Sequence, residues 1–300
     1  RFHHAQSQLH RFLNCIGGYT RSKFTYSFAA AEAMVPHILG SYRAYLDTCT
    51  SWDSIEENSE LFVCFGGVPL KNGQIAQGGT GSHNQKEKLI SSAKAGIRFV
   101  NLSPLKSDLL DEVKGKWLPL RPNTDVAIML GLAHTLYKEN LYSEIFIKKY
   151  TEGFDNFLPY LLGDLDGVVK DANWASEISE ISSDEIISLA RDMSSKRTMI
   201  SVSWSLTRQD HGEQPFWAAI MLASMLGQIG LPGGGFGFGY SATNHIGGQF
   251  SIIPGAAFPQ SDNKIDNFIP VARISDLLLN PGDTFHFDGK VYEYPDIKLI

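Results

Sequence analysis

Two short, mostly apolar runs, Leu61–Phe65 and Ile97–Leu102, stand about thirty residues apart, with one helix-patterned stretch, Asn84–Ala95, between them. Apolar runs of this length read as strands buried on both faces. A strand, helix, strand unit of this size joins parallel neighbours through a right-handed crossover. The expected fold class is therefore α/β: a parallel Rossmann-like sheet with covering helices. In such sheets ligands sit beyond the carboxyl ends of the strands, here 66–77 and 101–108. A third run, Thr198–Trp204, reads as another buried strand, and it exits into Ser205–Gln214.

Composition narrows the function classes. The chain has 300 residues, 43% hydrophobic and 11% aromatic, enough for a sizeable core and about two domains. A net charge of −6 with 19% charged residues leaves no basic field, so the reading excludes nucleic-acid partners. No apolar run approaches the roughly 18 residues of a spanning helix, so no membrane span is expected. Cys15, Cys49 and Cys64 lie far apart without metal-ligand spacing and read as buried thiols. The chain opens on Arg1 without an initiator Met or a leader pattern, and ends in an apolar Asp296–Ile300 that reads as a strand. It is therefore expected to be a fragment of a longer protein.

Several segments carry further signals. Arg1–Asn14 reads as a short helix running into Gly17–Gly18, and Phe28–Tyr45 as helical with an interruption at Pro36. Ser27 stands where an N-cap belongs. Thr124–Tyr137 reads as a helix with Asp125 in its first turn, and Asn140–Arg191 as amphipathic covering helices. The apolar helix Phe216–Ile229 leads to Gly233–Gly239, with five glycines in seven residues. Such a run permits positive φ and close approach of backbone to a bulky ligand, or serves as a flexible connector. It follows a helix and does not fit G-x-G-x-x-G, so a nicotinamide site is rejected. Ile246–Asn267 reads as loop and Ile269–Leu279 as helix.

Six motifs form one ordered set: Gly17-Gly-Tyr19, Tyr26-Ser27, Arg121-Pro-Asn-Thr-Asp-Val-Ala127, Trp204-Ser-Leu-Thr-Arg208, His211-Gly-Glu-Gln214 and Gly227-Gln-Ile-Gly-Leu-Pro-Gly-Gly-Gly-Phe-Gly237. By this set the chain closely resembles the molybdopterin oxidoreductases of the dimethyl sulfoxide reductase family. Within it, the match is to the serine-ligated branch containing trimethylamine-N-oxide, dimethyl sulfoxide, and biotin or methionine sulfoxide reductases. The resemblance implies molybdenum held by two molybdopterin guanine dinucleotides and one protein oxygen. It implies reduction of an N-oxide or S-oxide by oxygen-atom transfer, two electrons passing through the metal and two protons ending in water. Relatives wrap the cofactor with four domains. The parts expected here are 1–55 with the metal-ligand serine, 56–245 as a guanine-dinucleotide domain, and 246–300 as the truncated start of a following segment.

Carried over residue by residue, Ser27 matches the molybdenum ligand. A serine at a helix N-terminus meets free N–H groups and the positive end of the dipole, which favours an anionic oxygen, although most serines so placed are plain caps. Trp204 and Arg208 match residues lining the substrate funnel, where an indole wall and a guanidinium donor suit a polar S=O or N–O group. With Ser27 they form the expected catalytic set. Lys71, Asn72, Ser103, Lys106 and Asp125 match cofactor contacts; lysines neutralise pyrophosphate, and a carboxylate accepts from guanine N1 and N2. His211, Glu213 and Gln214 match cofactor contacts or a proton path, with helix capping as the plain alternative. Gly234, Gly235 and Asn244 are expected against a pterin.

The resemblance further implies a small oxide substrate, an electron donor such as a c-type cytochrome, a role in anaerobic respiration, and a periplasmic location, with a cytoplasmic subgroup as the alternative. The remainder of the longer chain is itself an expected partner. A rival reading is a non-catalytic α/β nucleotide-binding scaffold. Formate dehydrogenases and nitrate reductases are disfavoured, because those relatives place Cys, selenocysteine or Asp where Ser27 stands.

Overall fold

The computed structural model describes residues 4–73, 82–248 and 258–298. Packing divides the chain into two compact units, 30–251 and a second made of 1–29 with 252–300. The expected parts 1–55, 56–245 and 246–300 do not coincide with these units, because the helices between 30 and 55 pack with the sheet: Trp52 and Ile55 lie in the same core cluster as Phe62 and Phe99.

In chain order the elements begin with α1 (Ala5–Ile16), β1 (Arg21–Lys23), α2 (Ala29–Met34), α3 (Pro36–Leu39), α4 (Tyr42–Asp47) and α5 (Trp52–Asn58). Then come β2 (Leu61–Phe65), α6 (Leu70–Gly73), α7 (Gln85–Lys94), β3 (Arg98–Leu102), β4 (Lys116–Leu118) and α8 (Asp125–Lys138). They continue with α9 (Glu144–Tyr150), α10 (Phe154–Leu161), α11 (Ala172–Ser179), α12 (Ser183–Ser195), β5 (Thr198–Val202), α13 (Gln214–Leu226) and β6 (Gly235–Phe238). Last are β7 (Phe268–Pro270), α14 (Ile274–Leu279), β8 (Thr284–Phe287) and β9 (Lys290–Glu293).

The larger unit is built on a five-stranded, wholly parallel sheet in the order β4-β3-β2-β5-β6. All five residues of β2 and of β5 are buried, the signature of strands covered on both faces. On one face Phe62, Cys64, Phe99 and Met199 pack with Trp52, Leu89 and Tyr240. Covering helices α11, α12 and α13 pack around α8, and α13 also packs on β5 and β6. Gly131 lets α8 and α11 approach closely: a Cβ there would sit 2.8 Å from the Ala175 Cβ. The chain steps from β2 outward to β3 and β4, then returns to the far side of β2 for β5 and β6. The order thus reverses between β2 and β5, the position where open α/β sheets leave a crevice at their carboxyl edge.

Two strands of this sheet were not expected. Lys116–Leu118 is too short for periodicity to show, and Gly235–Phe238 lies inside the glycine run. In β6 the glycines and phenylalanines alternate: Phe236 and Phe238 face one way, and the Tyr240 ring and Met199 occupy the space a Gly237 side chain would need. The run is therefore a strand, neither loop nor connector. The helical stretch expected over Phe28–Tyr45 is three short helices, broken at Pro36 and again at Gly40, after which the Ser41 hydroxyl accepts from Ala44 N at 3.2 Å to cap α4.

In the smaller unit β1 pairs with β7 in parallel, and β8 pairs with β9 as a hairpin. Ile269, Leu277, Phe285 and Tyr294 form its core. The helix expected from Ile269 begins only at Ile274, because Phe268–Pro270 pairs with β1. Asp296–Lys298 is not strand, and the last two residues lie outside the described ones.

Candidate functional site

Five strands end on one edge of the larger unit's sheet, and the segments leaving them carry most of the residues singled out above. After β2, Gly66 and Gly67 both adopt positive φ, 78° and 71°. A side chain at Gly67 would collide with Asp108 Cβ and its carbonyl. Lys71, exposed in α6, brings its Nζ to 3.5 Å from Asp108 Oδ1. The Ser103 hydroxyl donates to Asp108 Oδ2 at 2.7 Å. Asp108 therefore joins the exits of β2 and β3. It was not among the expected residues, and its signal in the sequence is only a carboxylate a few residues past a strand end. The side chain of Asn72 and the loop 74–81 lie outside the described residues.

Lys106 is exposed on the β3 exit. With Asn101, Leu109, Asp111, Lys114 and Trp117 it lines a cavity of about 250 Å³. Asn101 is 1% exposed and its Oδ1 is buried without a hydrogen-bond partner. From β4 the chain turns at Arg121 and enters α8 at Asp125, which is only 2% exposed. Burial pushes the Asp125 carboxyl up to about 6, opposed by its own backbone N–H and by a hydrogen bond from the Gln209 side chain. Gln209 directly follows Arg208, so the exits of β4 and β5 meet here.

At the β5 exit, the Ser203 hydroxyl accepts from Ser205 N at 3.3 Å and caps the turn Trp204–Arg208. Trp204 is half-buried, with its indole Nε1 enclosed. Arg208 ends the turn and is exposed. His211 is exposed in a left-handed conformation (φ 52°), its ring nitrogens 4.0 Å from Asp210 Oδ1 and 3.8 Å from Glu213 Oε1. Gln214 opens α13 and donates from Nε2 to Glu213 Oε1 at 3.3 Å. At the β6 exit, Gly239 lies against the Trp204 indole. Asn244, 5% exposed, follows with neither amide atom partnered.

Gly234 and Gly235 are not brought to this edge. They lie at the amino end of β6, where Gly234 packs on Arg197 and Gln228, and the neighbouring Gly233 fits against Asn58 and Ser59. Their lack of side chains serves strand entry. Ser27 belongs to the smaller unit. It is exposed in the turn before α2, two residues ahead of Ala29, and its backbone N–H donates to Thr25 Oγ1 at 2.8 Å. With α2 starting at Ala29, Ser27 stands one position ahead of the helix's N-cap.

Enclosed polar atoms without partners cost roughly 1–3 kcal/mol each when no ligand or water meets them. Asn101 and Asn244 stand at the exits of β3 and β6, on the same edge as Lys71, Lys106 and Asp125. The arrangement suits an extended ligand with hydrogen-bonding heterocycles and anionic groups, and a pterin–nucleotide fits that description. Among the described residues, no cluster of three or more His, Cys, Asp or Glu side chains forms a metal site.

A sequence profile described as molybdopterin oxidoreductase matches residues 1–286. The chain is 45% identical over its full length to a biotin sulfoxide reductase of Cereibacter sphaeroides, covering 40% of that protein. It is 40% identical over 99% of its length to a trimethylamine-N-oxide reductase of Haemophilus influenzae, covering 37%. It is also 39% identical to a dimethyl sulfoxide/trimethylamine N-oxide reductase of Cereibacter sphaeroides, covering 37% of that protein. The chain thus spans about two-fifths of the length of the curated relatives it matches. Among solved structures, acetylene hydratase from Pelobacter acetylenicus superposes with a TM-score of 0.51 over 75% of this chain and 28% of that one, at 19% identity, a likeness of fold.

Proposed function

Since the chain belongs to the molybdopterin oxidoreductase family, we propose that it is the part of a molybdenum-dependent N-oxide or S-oxide reductase that holds the cofactor and contributes to the oxide pocket. The observation that carries this reading is 45% identity to a biotin sulfoxide reductase along the whole chain. The same sheet edge that gathers Lys71, Ser103, Lys106, Asp125 and Asn244 supports it, because the Asn101 Oδ1 and both amide atoms of Asn244 are enclosed there without partners.

When bound, a molybdenum–molybdopterin group supplies the two-electron chemistry by which an oxide, two electrons and two protons become a sulfide or amine and water. The chain's own residues bind and orient. Lys71 and Lys106 bring positive charge to the β2 and β3 exits, where they suit phosphates. Asp125, as a carboxylate, accepts from the N1 and N2 donors of guanine, which favours the guanine dinucleotide form. Asn244 offers one donor and one acceptor to a pterin edge. Ser27 supplies the protein oxygen to the metal, and its exposed place in the turn before α2 is compatible with that role. Arg208 donates to the oxide oxygen beside the Trp204 ring. A c-type cytochrome as donor and a periplasmic setting belong to the same reading.

The test is made on the full-length protein. Wild type binds molybdenum and pterin and reduces trimethylamine N-oxide, dimethyl sulfoxide or biotin sulfoxide with a reduced viologen. Ser27→Ala lowers turnover at least a hundredfold without unfolding the protein. Near-normal turnover in Ser27→Ala removes the ligand assignment, and wild-type protein without molybdenum removes the reading as a whole.

A further inference from the structure

Helix α1 is docked with its polar side inward. Asn14 donates from Nδ2 to the carbonyls of Gln260 and Ser261 at 3.0 and 3.1 Å, and the His10 ring stacks on Tyr19 with centroids 4.9 Å apart. His10 and Asn14 stand four residues apart and so share one face. Leu9, Phe12 and Ile16 recur at i, i+3 and i+7 on a neighbouring face, where they are 55%, 58% and 64% exposed. No residue of α1 is buried. A surface helix ordinarily turns its apolar stripe to the core and its polar side to water, so α1 is inverted with respect to the packing around it. The rest of the smaller unit is equally short of cover. Its core cluster, Ile269, Leu277, Phe285 and Tyr294, takes nothing from α1. β1 and β7 make a parallel sheet of only two strands, with all three residues of β1 exposed, whereas parallel strands are ordinarily covered on both faces.

We propose that the stripe Leu9, Phe12 and Ile16 on α1 is a docking surface for the part of the full-length polypeptide that lies outside these 300 residues. The chain covers 40% and 37% of the reductases it matches, so a full-length member carries more chain outside this span than within it. That chain is covalently attached, and its effective concentration at α1 exceeds what a separate copy reaches. A lipid surface is a poorer match. Helices that lie in a membrane interface carry several Lys and Arg on the polar side. Here α1 has Arg11 alone, which lies over the Phe258 ring at 5.7 Å, in a chain of net charge −6. The inference rests on membership of a family of longer proteins and not on oxide reduction, so its test is read without turnover.

The experiment uses the full-length protein, with its mass in solution followed by light scattering. Leu9→Cys and Ile16→Cys are labelled with a small maleimide, and the rate at each position is read by peptide mass spectrometry against the same protein unfolded in urea. The expected result is labelling at least about fiftyfold slower in the native monomer than in the unfolded chain. Native rates close to the unfolded ones overturn the proposal. So does protection that appears only on dimerisation, or only with phosphatidylcholine–phosphatidylglycerol vesicles. The occupant is identified by photocrosslinking Phe12→p-benzoylphenylalanine. A crosslink within one chain to a peptide outside residues 1–300 is expected, whereas one to a peptide inside them, or between isotope-labelled and unlabelled chains, overturns the assignment. If these variants do not fold, hydroxyl-radical footprinting of Leu9, Phe12 and Ile16 in wild type takes their place. Oxidation as slow as at the buried Phe62 and Leu102 supports the docked stripe, and oxidation as fast as in the unfolded chain overturns it.

Discussion

Gln209 hydrogen-bonds the buried carboxyl of Asp125, linking the segment that leaves β5 to the first turn of α8. Burial outweighs that bond, so the carboxyl sits at about 6 in the fold against an ordinary 3.8. Between those two values the folded chain keeps a proton that the unfolded chain has lost. This contribution is therefore full below about pH 3.8 and is lost as the pH rises through about 6. Asp125→Asn stays neutral throughout. Relative to that variant, wild type loses roughly 2 kcal/mol between pH 4 and pH 7. Urea denaturation of both proteins across this range checks it; a wild-type-minus-variant difference that does not change with pH excludes the perturbed carboxyl. The guanine assignment adds a second expectation. The base needs the carboxylate, so the cofactor binds about tenfold tighter at pH 7 than at pH 5 in wild type, and without that dependence in the variant.

Ser103 holds the β3 exit through its hydroxyl, which donates to Asp108 Oδ2 at 2.7 Å and accepts from Leu105 N at 3.3 Å, while its carbonyl accepts from Trp117 Nε1 at 2.8 Å. Ser103→Ala keeps the last bond and removes the first two. The expected loss is about 1–2 kcal/mol of stability, since Asp108 stays partly solvated and still faces Lys71. Thermal unfolding measures it. A larger effect on cofactor affinity than on stability would mark the hydroxyl as a direct cofactor contact.

Much of the fold was legible because burial imposes a simple pattern. Leu61–Phe65 and Thr198–Val202 read as buried strands from their unbroken apolar character, and α8 from its spacing. β6 escaped because a Gly-Phe alternation has few apolar residues per turn of pattern, and its meaning depends on Tyr240, which closes the glycine face from beyond the strand. Pairing of β1 with β7 joins segments nearly 250 residues apart, which no local pattern announces. At the site, motif order pointed to Ser27, Trp204, Arg208 and Asp125. It could not show that Gly234 and Gly235 lie at the opposite end of their strand, nor that Asp108 joins Lys71 to Ser103, because those contacts come from different segments.

Gly239 separates strain from collision. Its N–H donates to the Val202 carbonyl at 3.0 Å, its φ is 82°, and a Cβ would strike the Trp204 indole. Gly96 has a similar φ of 101° with open space around it. Gly96→Ala thus carries only the left-handed strain, about 1 kcal/mol, whereas Gly239→Ala carries the collision as well and costs about 2–4 kcal/mol. Urea midpoints of the two variants give the comparison directly. Equal costs would mean that the indole moves aside freely.

Lys170 has a buried ammonium group at the end of the segment joining α10 to α11. Its side chain is 2% exposed, and Nζ contacts both Asp166 oxygens at 2.5 and 2.6 Å and the Val168 carbonyl at 2.5 Å, over the Tyr160 ring at 4.2 Å. The ammonium holds the Asp166 carboxyl below its ordinary range, helped by the Val168 N–H. The pair's stabilisation is therefore present above the ordinary carboxylate value and is lost as the pH falls through the lower, folded one. Removing either partner is not symmetrical. Lys170→Met keeps the buried stem and leaves Asp166 to water, the milder of the two losses. Asp166→Ala strands an enclosed cation and costs more. Thermal unfolding of both variants at neutral pH, and of wild type against Lys170→Met down to pH 3, checks the order and the direction. If Lys170→Met is the more damaging of the two, the lysine acts through its packing rather than through its charge.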